Sequence, residues 1–264
     1  MERFREKVVW ITGASSGIGE ALAYAFSREG AHLVLSARRT ERLEQVRANC
    51  TGPGKVLLLP FDITQTDCHS TMVAAVIEHF GQVDILVNNA GISQRSLAQE
   101  TLLEVDRRLM EVNYFGVISL TKAVLPFMLQ RGRGHLVVIS SLLGKFGIPL
   151  RSAYCASKHA LHGFFDALRA ELHDQGIRVT LICPGWVRTE VSMHALRGDG
   201  SEHGIVDPSI AKGMDPNVCA RRILNAIHKR KAEAYIAGPE KLGIYLKRLA
   251  PGLLHWIVRR LPIQ

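Results

Sequence analysis

The chain has 264 residues, 47% of them hydrophobic, which is enough for one large α/β domain with a sizeable core or for two small ones. Lys and Arg outnumber Asp and Glu by 33 to 24, and a formal net charge of +9 commonly means a solvated basic surface, with an anionic partner such as phosphate or a lipid surface as the more specific alternative. Five scattered cysteines show no metal-ligand spacing, and they predict reduced thiols, a cytoplasmic protein and no metal site. Neither a signal peptide nor an uncharged run long enough for an ordinary membrane-spanning helix is visible.

The first predicted strand, residues 8–11, leads into a glycine-rich turn that opens a helix. The turn reads Gly-x-x-x-Gly-x-Gly, whereas most dinucleotide-binding enzymes have Gly-x-Gly-x-x-Gly. In this context the glycines let the backbone approach a pyrophosphate, and the helix supplies N–H groups and a positive dipole end. The sequence therefore predicts a dinucleotide site at Gly13, Ser15, Ser16, Gly17, Ile18 and Gly19.

The second predicted strand, residues 32–35, ends near two arginines, Arg38 and Arg39. In Rossmann proteins an acidic residue at this place binds the ribose 2′-hydroxyl of NAD, whereas Arg accommodates the 2′-phosphate of NADP. No acidic residue lies between Ser36 and Thr40. The pattern favours NADP(H), with a pair of surface arginines at the start of a helix as the alternative.

The remaining chain alternates apolar runs with helical patterns and contains no repeat or linker. Strands that are apolar throughout are typical of a parallel sheet covered on both faces. The sequence therefore predicts a single α/β domain with a Rossmann-like, doubly wound parallel sheet and helices on both sides. The further predicted strands are residues 56–59, 83–87, 136–139 and 177–182, and the long helical patterns are residues 66–80, 102–130 and 152–174.

Tyr154 and Lys158 lie four residues apart near the start of a predicted helix, and Ser141 follows a predicted strand. Residues at this spacing share one helical face. A nearby ammonium favours phenolate, so we expect Lys158 to lower the pKa of Tyr154. The Ser141 hydroxyl could then polarise a carbonyl oxygen beside the phenol. Taken alone, the Tyr-x-x-x-Lys spacing more often belongs to an exposed helical pair.

Six motifs in register resemble the short-chain dehydrogenase/reductase superfamily over about residues 6–240. They are Thr12-Gly13-x-x-x-Gly17-x-Gly19, Asn88-Asn89-Ala90-Gly91, Asn113, Ser141, Tyr154-x-x-x-Lys158 and Pro184-Gly185. The resemblance implies about seven parallel strands. It also implies that Tyr154 exchanges a proton, that Lys158 lowers its pKa and holds the nicotinamide ribose, that Ser141 orients the substrate oxygen, and that Asn113 completes a proton relay through water.

The same resemblance implies further cofactor contacts. Asp62 would contact the adenine and Ile63 would lie against it, while other contacts would line the nicotinamide side. Those expected contacts are Asn89, Ala90, Gly91, Pro184, Gly185, Val187 and Thr189. The substrate loop of the family falls on residues 190–213, a region rich in Gly, Ser, His and Asp.

The wording of the motifs resembles the group of 11-beta-hydroxysteroid dehydrogenase-like enzymes and dehydrogenase/reductase family member 7. That likeness implies a lipophilic carbonyl or alcohol substrate, such as a steroid, a retinoid or an acyl ketone, and a homodimer or homotetramer. The predicted function is an NADP(H)-dependent oxidoreductase. Alternatives are an NAD-dependent dehydrogenase or epimerase on the same scaffold, or a cofactor-binding regulatory or nucleic-acid-binding protein. The complete catalytic set weighs against the last class, and no nucleic-acid partner is expected.

Residues 1–240 are predicted to form the catalytic domain and residues 241–264 a basic, amphipathic extension. Residues 215–264 contain ten basic and three acidic residues, a net charge of +7. One interpretation is a helix lying in a membrane interface, which would add membrane association to the expected cytoplasmic location. The other, which the pattern favours, is packing over the substrate cleft or a neighbouring subunit. The apolar face contains Leu242, Tyr245, Leu246, Leu249, Leu253, Leu254, Ile257, Val258 and Leu261.

Overall fold

A seven-stranded, wholly parallel sheet forms the centre of the protein in a computed structural model that describes residues 2–260. The strand order is β3-β2-β1-β4-β5-β6-β7. The predicted fold class, a doubly wound parallel sheet, is confirmed. The strands are β1 (Val8–Thr12), β2 (His32–Ser36), β3 (Val56–Leu58), β4 (Ile85–Asn88), β5 (Gly134–Ile139), β6 (Ile177–Pro184) and β7 (Glu233–Ile236).

Ten α-helices surround this sheet within residues 2–260. Apolar residues of the first, second and eighth helices pack on one face, and those of the third, fifth and sixth pack on the other. The helices are α1 (Gly17–Arg28), α2 (Thr40–Ala48), α3 (His69–Phe80), α4 (Leu103–Met110), α5 (Gly116–Gln130), α6 (Ser152–Glu171), α7 (Pro208–Ala211), α8 (Pro216–His228), α9 (Leu242–Leu249) and α10 (Pro251–Val258).

The central strand β1 is buried along its whole length. Ile11 pairs with Leu35 of β2 on one side and with Val87 of β4 on the other. Because helices cover both faces, both alternating sets of side chains must be apolar, which explains the continuous apolar runs in the sequence.

The chain changes direction across the sheet between β1 and β4, so the loops after these two strands diverge and leave a crevice. The Thr12 hydroxyl joins the loops by accepting hydrogen bonds from the backbone N–H of Asn89 (3.0 Å) and Ala90 (3.1 Å). This arrangement brings the glycine-rich turn and the Asn88–Gly91 motif to the same edge of the sheet.

The helical segment predicted over residues 102–130 is not a uniform α-helix. A π-helical turn, Glu111–Phe115, lies between α4 and α5. By length and composition alone, Leu103–Gln130 could cross a membrane. However, Leu120, Val124 and Met128 are fully buried against the sheet, as in a core helix.

The elements that were not predicted individually include β7 and α8. β7 has only four residues and alternates between buried and half-buried positions, so it lacks the continuous apolar run of the other strands. α8 begins with Pro216 in its first turn, and the Asp215 carboxylate caps it by accepting from the N–H groups of Asn217 and Val218.

The C-terminal extension forms α9 and α10, and the proline at position 251 begins the second of these helices. Leu254 is buried against Leu142, Leu143 and Phe146, which follow the predicted catalytic serine. Much of the apolar face predicted for this extension remains exposed. Leu261, which was predicted to belong to that face, lies outside the described residues. The exposed large apolar residues of the two helices are Leu242, Tyr245, Leu249, Leu253, Trp256 and Ile257.

Candidate active site

A cleft of about 470 Å³ lies at the carboxyl ends of the central strands. It brings together most of the residues predicted from the sequence, although they come from seven separate stretches of chain. The predicted residues that line it are Gly13, Ser15, Ser16, Gly17, Ile18, Arg38, Arg39, Ile63, Asn89, Ala90, Gly91, Ser141, Tyr154, Lys158, Pro184, Gly185, Val187 and Thr189.

The glycine-rich turn has no room for a side chain at Gly13 or Gly19. Gly13 has a φ of +64°, and a Cβ atom there would lie 2.8 Å from the Ala90 Cα. A Cβ atom on Gly19 would lie 2.2 Å from the carbonyl oxygen of Gly13, so Gly19 permits close packing of α1 on the turn. Ser16 precedes α1, and its side chain makes no capping hydrogen bond. The first N–H groups of α1 therefore remain available to an anion, and the turn fits the pyrophosphate of a dinucleotide.

Arg38 and Arg39 lie at the adenosine end of the cleft, after β2. One Arg39 guanidinium nitrogen lies 3.5 Å from the Ser15 hydroxyl oxygen. Arg38 is 64% exposed in its side chain and lies 3.9 Å from a carboxylate oxygen of Asp62. The sequence showed no acidic residue next to the arginines, but the fold supplies one from the loop after β3. Asp62 itself does not line the cleft, and its carboxylate accepts hydrogen bonds from Thr64.

Ser141, Tyr154 and Lys158 meet at the other end of the cleft. Tyr154 and Lys158 lie on the first turns of α6, and Ser141 follows β5. Ser141 lines the cleft beside Tyr154, and its hydroxyl accepts from the backbone N–H of Leu143 (3.1 Å). The Lys158 ammonium donates to the carbonyl oxygen of Ile139 (3.0 Å) and lies 5.8 Å from the centre of the Tyr154 ring.

The spacing led us to expect that Lys158 lowers the pKa of Tyr154. In this structure burial raises the pKa of the Tyr154 phenol overall, and the nearby Ser141 hydroxyl only partly opposes this effect. Burial also lowers the pKa of Lys158 to about 8. Desolvation disfavours both charged forms, and here it outweighs the attraction of a nearby ammonium for phenolate.

Asn113 lies beneath the cleft rather than in its lining, in the π-helical turn. Its side chain is fully buried, accepts from the N–H of Ile92 (2.8 Å) and donates to the carbonyl oxygen of Ile92 (3.0 Å) and the hydroxyl of Ser157 (3.0 Å). The π turn thus fixes the amide against the loop after β4 that carries Gly91, where a Cβ atom would lie 3.4 Å from the Lys158 ammonium nitrogen.

Two arginines in the substrate half of the cleft were not predicted as site residues. Arg95 and Arg151 line the cleft, and both bind the Asp207 carboxylate. Their side chains are 3% and 11% exposed. Burial alone would raise the pKa of Asp207, but the hydrogen bond and charge of Arg95 and the charge of Arg151 hold it below its ordinary value. Neither arginine belongs to a motif, so only the three-dimensional contact identifies it.

Asp207 belongs to the predicted substrate loop, residues 190–213, which covers this half of the cleft. Its backbone N–H also donates to the Ser192 hydroxyl (3.1 Å). Residues of the loop that line the cleft include Glu190, Val191, His194, Leu196 and Ile210. The ion pairs with Asp207 therefore join a surface loop to fixed parts of the molecule beside Tyr154.

The family model and the curated relatives that match this chain are all short-chain dehydrogenases or reductases. A family model described as short chain dehydrogenase matches residues 7–199. The chain is 44% identical to dehydrogenase/reductase SDR family protein 7-like of Drosophila melanogaster, over 98% of this chain and 81% of that protein. It is 45% identical to dehydrogenase/reductase SDR family member 7B of Bos taurus, over 94% and 79% of the two chains.

The fold is similar to that of a solved short chain dehydrogenase/reductase from Burkholderia phymatum, which was crystallised in complex with NAD. The TM-score is 0.83, the sequences are 25% identical, and the match covers 96% of each chain.

Proposed function

The chain belongs to the short-chain dehydrogenase/reductase family and is an oxidoreductase with a nucleotide-binding Rossmann fold; from this premise, we propose that it is an NADP(H)-dependent enzyme acting on a lipophilic carbonyl or secondary alcohol. A bound nicotinamide cofactor supplies or accepts a hydride. The observation that carries the proposal is the placement of Ser141, Tyr154 and Lys158 together at one end of a cleft whose other end holds the glycine-rich turn.

The protein's own contribution is proton transfer at the substrate oxygen. In the reductive direction the Tyr154 hydroxyl donates its proton to that oxygen as the carbon is reduced, and in the oxidative direction it takes the proton back. The Ser141 hydroxyl, which lines the cleft beside Tyr154, orients the same oxygen. The Lys158 ammonium stabilises the phenolate that is left after donation.

The preference for NADP(H) rests on the charge beside the adenosine end of the cleft. Arg38 and Arg39 together with the Ser15 hydroxyl offer donors for a 2′-phosphate. Asp62 is 3.9 Å from Arg38, beyond hydrogen-bonding distance, so Arg38 can turn towards a phosphate at little cost. The Burkholderia phymatum structure holds NAD, which makes this preference a property to test rather than one that the fold imposes.

A lipophilic substrate agrees with the exposed apolar residues on α9 and α10, which pack beside the loop that follows Ser141. Leu249 is 80% exposed and Trp256 is 49% exposed. Basic side chains are exposed at Lys247 and Arg248 of α9 and at Arg259, directly after α10. We therefore expect this surface to bind an anionic lipid surface, because a second copy of the chain would bring the same positive charge.

The function is tested by following NADPH absorbance with a panel of ketones and aldehydes of increasing chain length. We expect turnover that rises with the apolar character of the substrate. Tyr154→Phe should keep cofactor binding and lose turnover by about 10²–10⁴-fold, since it removes the general acid. Turnover by the purified variant near the wild-type rate would contradict the assigned role.

Cofactor choice is tested separately by titrating NADPH and NADH into the unmutated protein. We expect NADPH to bind at least about tenfold more tightly, because charge-assisted hydrogen bonds contribute roughly 1.5–3 kcal/mol each. Arg38→Asp should reverse the order, whereas Arg42→Asp, on a half-buried residue of α2 that does not line the cleft, should not. Equal dissociation constants in the wild type would refute the NADP preference.

A further inference from the structure

Three side chains with metal-binding atoms converge behind the catalytic serine, in a place that the hydride chemistry does not use. They are His162 on α6, Cys183 on β6 and Glu233 on β7, and their ligand atoms all lie within 4.8 Å of one another. His162 Nε2 is 3.7 Å from Cys183 Sγ, and Cys183 Sγ is 3.5 Å from Glu233 Oε1. The residues are 21 and 50 positions apart in the chain, so no sequence spacing reveals them.

These distances match the edges of a tetrahedral zinc site. Zinc bonds of about 2.3 Å to sulfur and about 2.0–2.1 Å to nitrogen or oxygen, separated by tetrahedral angles, place neighbouring ligand atoms about 3.6 Å apart. One thiolate, one carboxylate and one neutral imidazole also balance the charge of a divalent cation. We propose that His162, Cys183 and Glu233 form a binding site for Zn²⁺, with water in the fourth position.

The metal would replace two contacts of the present arrangement. Ser140 Oγ lies 3.0 Å from His162 Nε2, and the Lys145 ammonium lies 2.8 Å from Glu233 Oε1. The side chains of Lys145 and Glu233 are 22% and 27% exposed, so the ammonium can move into solvent and leave an entry path. A partly exposed ion pair contributes little to stability, whereas a structural zinc site contributes much more.

Zinc at this position would connect the helix that carries Tyr154 to the far edge of the sheet. His162 is on the same helix as Lys158, whose carbonyl oxygen accepts from the Ser140 hydroxyl (3.3 Å). β7 is an edge strand that pairs with β6 alone in the described sheet. Because only the folded chain holds the three ligands together, zinc binding should stabilise the folded state.

The experiment measures metal binding by the full chain after treatment with a chelator. We expect one Zn²⁺ per chain, a concentration-dependent rise in Tm, and, with Co²⁺, the ultraviolet charge-transfer absorbance that indicates a thiolate ligand. Cys183→Ser should abolish the absorbance, and Glu233→Gln, which replaces a partly exposed ligand, should weaken Zn²⁺ binding at least tenfold. Cys219→Ser is the matched control, because this thiol is also buried but lies outside the cluster.

Lys145→Ala separates the proposed site from adventitious binding elsewhere. Removal of the ammonium beside Glu233 should tighten Zn²⁺ binding by roughly two- to fivefold, the equivalent of a surface ion pair. The proposal is overturned if the chelator-treated wild type does not take up one Zn²⁺ per chain. It is also overturned if Cys183→Ser and Glu233→Gln bind Zn²⁺ as tightly as the wild type. Circular dichroism of each variant establishes that it is folded, and none of these readouts depends on the proposed enzymatic activity.

Discussion

At the scale of single residues, the active site is governed by desolvation. The Lys158 ammonium is buried and has one hydrogen-bond acceptor within the described residues, the carbonyl oxygen of Ile139. Its pKa falls from 10.5 to about 8 because burial penalises the charged form. A buried charge of this kind costs stability in the absence of a partner, which is consistent with the proposed role of Lys158 beside Tyr154.

This cost should be visible in the dependence of stability on pH. The folded pKa of Lys158 is depressed, so between about pH 8 and 10.5 the unfolded chain holds a proton that the folded chain has lost. The wild type should therefore gain stability relative to Lys158→Met as the pH rises through this window, by about 3 kcal/mol at most.

Urea unfolding of the cofactor-free proteins at several pH values measures this difference. Lys229→Met, on an exposed residue after α8, is the control and should show no such relative change. A constant difference in unfolding free energy between wild type and Lys158→Met would mean that Lys158 is not destabilised by burial.

At the scale of elements, ion pairs attach the substrate loop, residues 190–213, to the rest of the molecule. Asp207 receives Arg95 from the loop after β4 and Arg151 from the residue before α6, and the two arginines lie 112 and 56 positions away from it in the chain. Both arginines are nearly buried, so the loss of their shared carboxylate leaves two uncompensated cations. We therefore expect the cluster to hold the loop over the cleft.

Asp207→Asn should open this loop while preserving the shape of the side chain. We expect KM to rise by roughly tenfold or more, in line with the loss of a charged hydrogen bond, and amide hydrogen exchange to increase across residues 190–213. Asp199→Asn is the matched control, because this exposed loop carboxylate bonds only to Ser201. Unchanged exchange in Asp207→Asn would show that the ion pairs do not hold the loop.

The burial of each element determines how much of the fold could be predicted from the sequence. The strands β1, β2, β4, β5 and β6 were predictable because burial on both faces demands continuous apolar runs. The cleft residues that belong to sequence motifs were predictable as well, whereas Arg95 and Arg151 were not. β7 was not predictable from its half-buried alternation. The contacts of Arg95 with Asp207 and of Arg38 with Asp62 depend on long-range folding, and the raised pKa of Tyr154 depends on burial that no spacing reveals.

At the scale of the whole molecule, charge and apolar surface coincide. The net charge of +9 includes +7 in residues 215–264, the part of the chain that also exposes the large side chains of α9 and α10. Leu254 packs α10 against the loop that follows Ser141. A membrane that bound the exposed side of α9 and α10 would therefore lie next to the cleft. An electrostatic contribution of this kind is expected to weaken as ionic strength rises.

Vesicle flotation tests this expectation. The full chain should float with anionic vesicles at low salt and should stay in solution with zwitterionic ones. Lys247→Glu/Arg248→Glu should reduce flotation by roughly tenfold or more, at about 1 kcal/mol per basic residue near the membrane. Arg221→Glu/Arg222→Glu makes the same change in net charge on the exposed side of α8 and should have little effect. If the full chain stays in solution with anionic vesicles at low salt, the exposed helices serve another purpose, such as contact between copies.

The crowded glycine-rich turn restricts how this enzyme can change during evolution. Nearly every substitution at Gly13 or Gly19 would force the backbone apart, since an added Cβ atom would lie 2.8 Å or less from a main-chain atom. The exposed guanidinium at position 38, by contrast, can be replaced without disturbing the core. Selection for a different coenzyme would therefore find its viable mutational paths in the loop after β2, while the pyrophosphate turn stays unchanged in lineages that keep the activity.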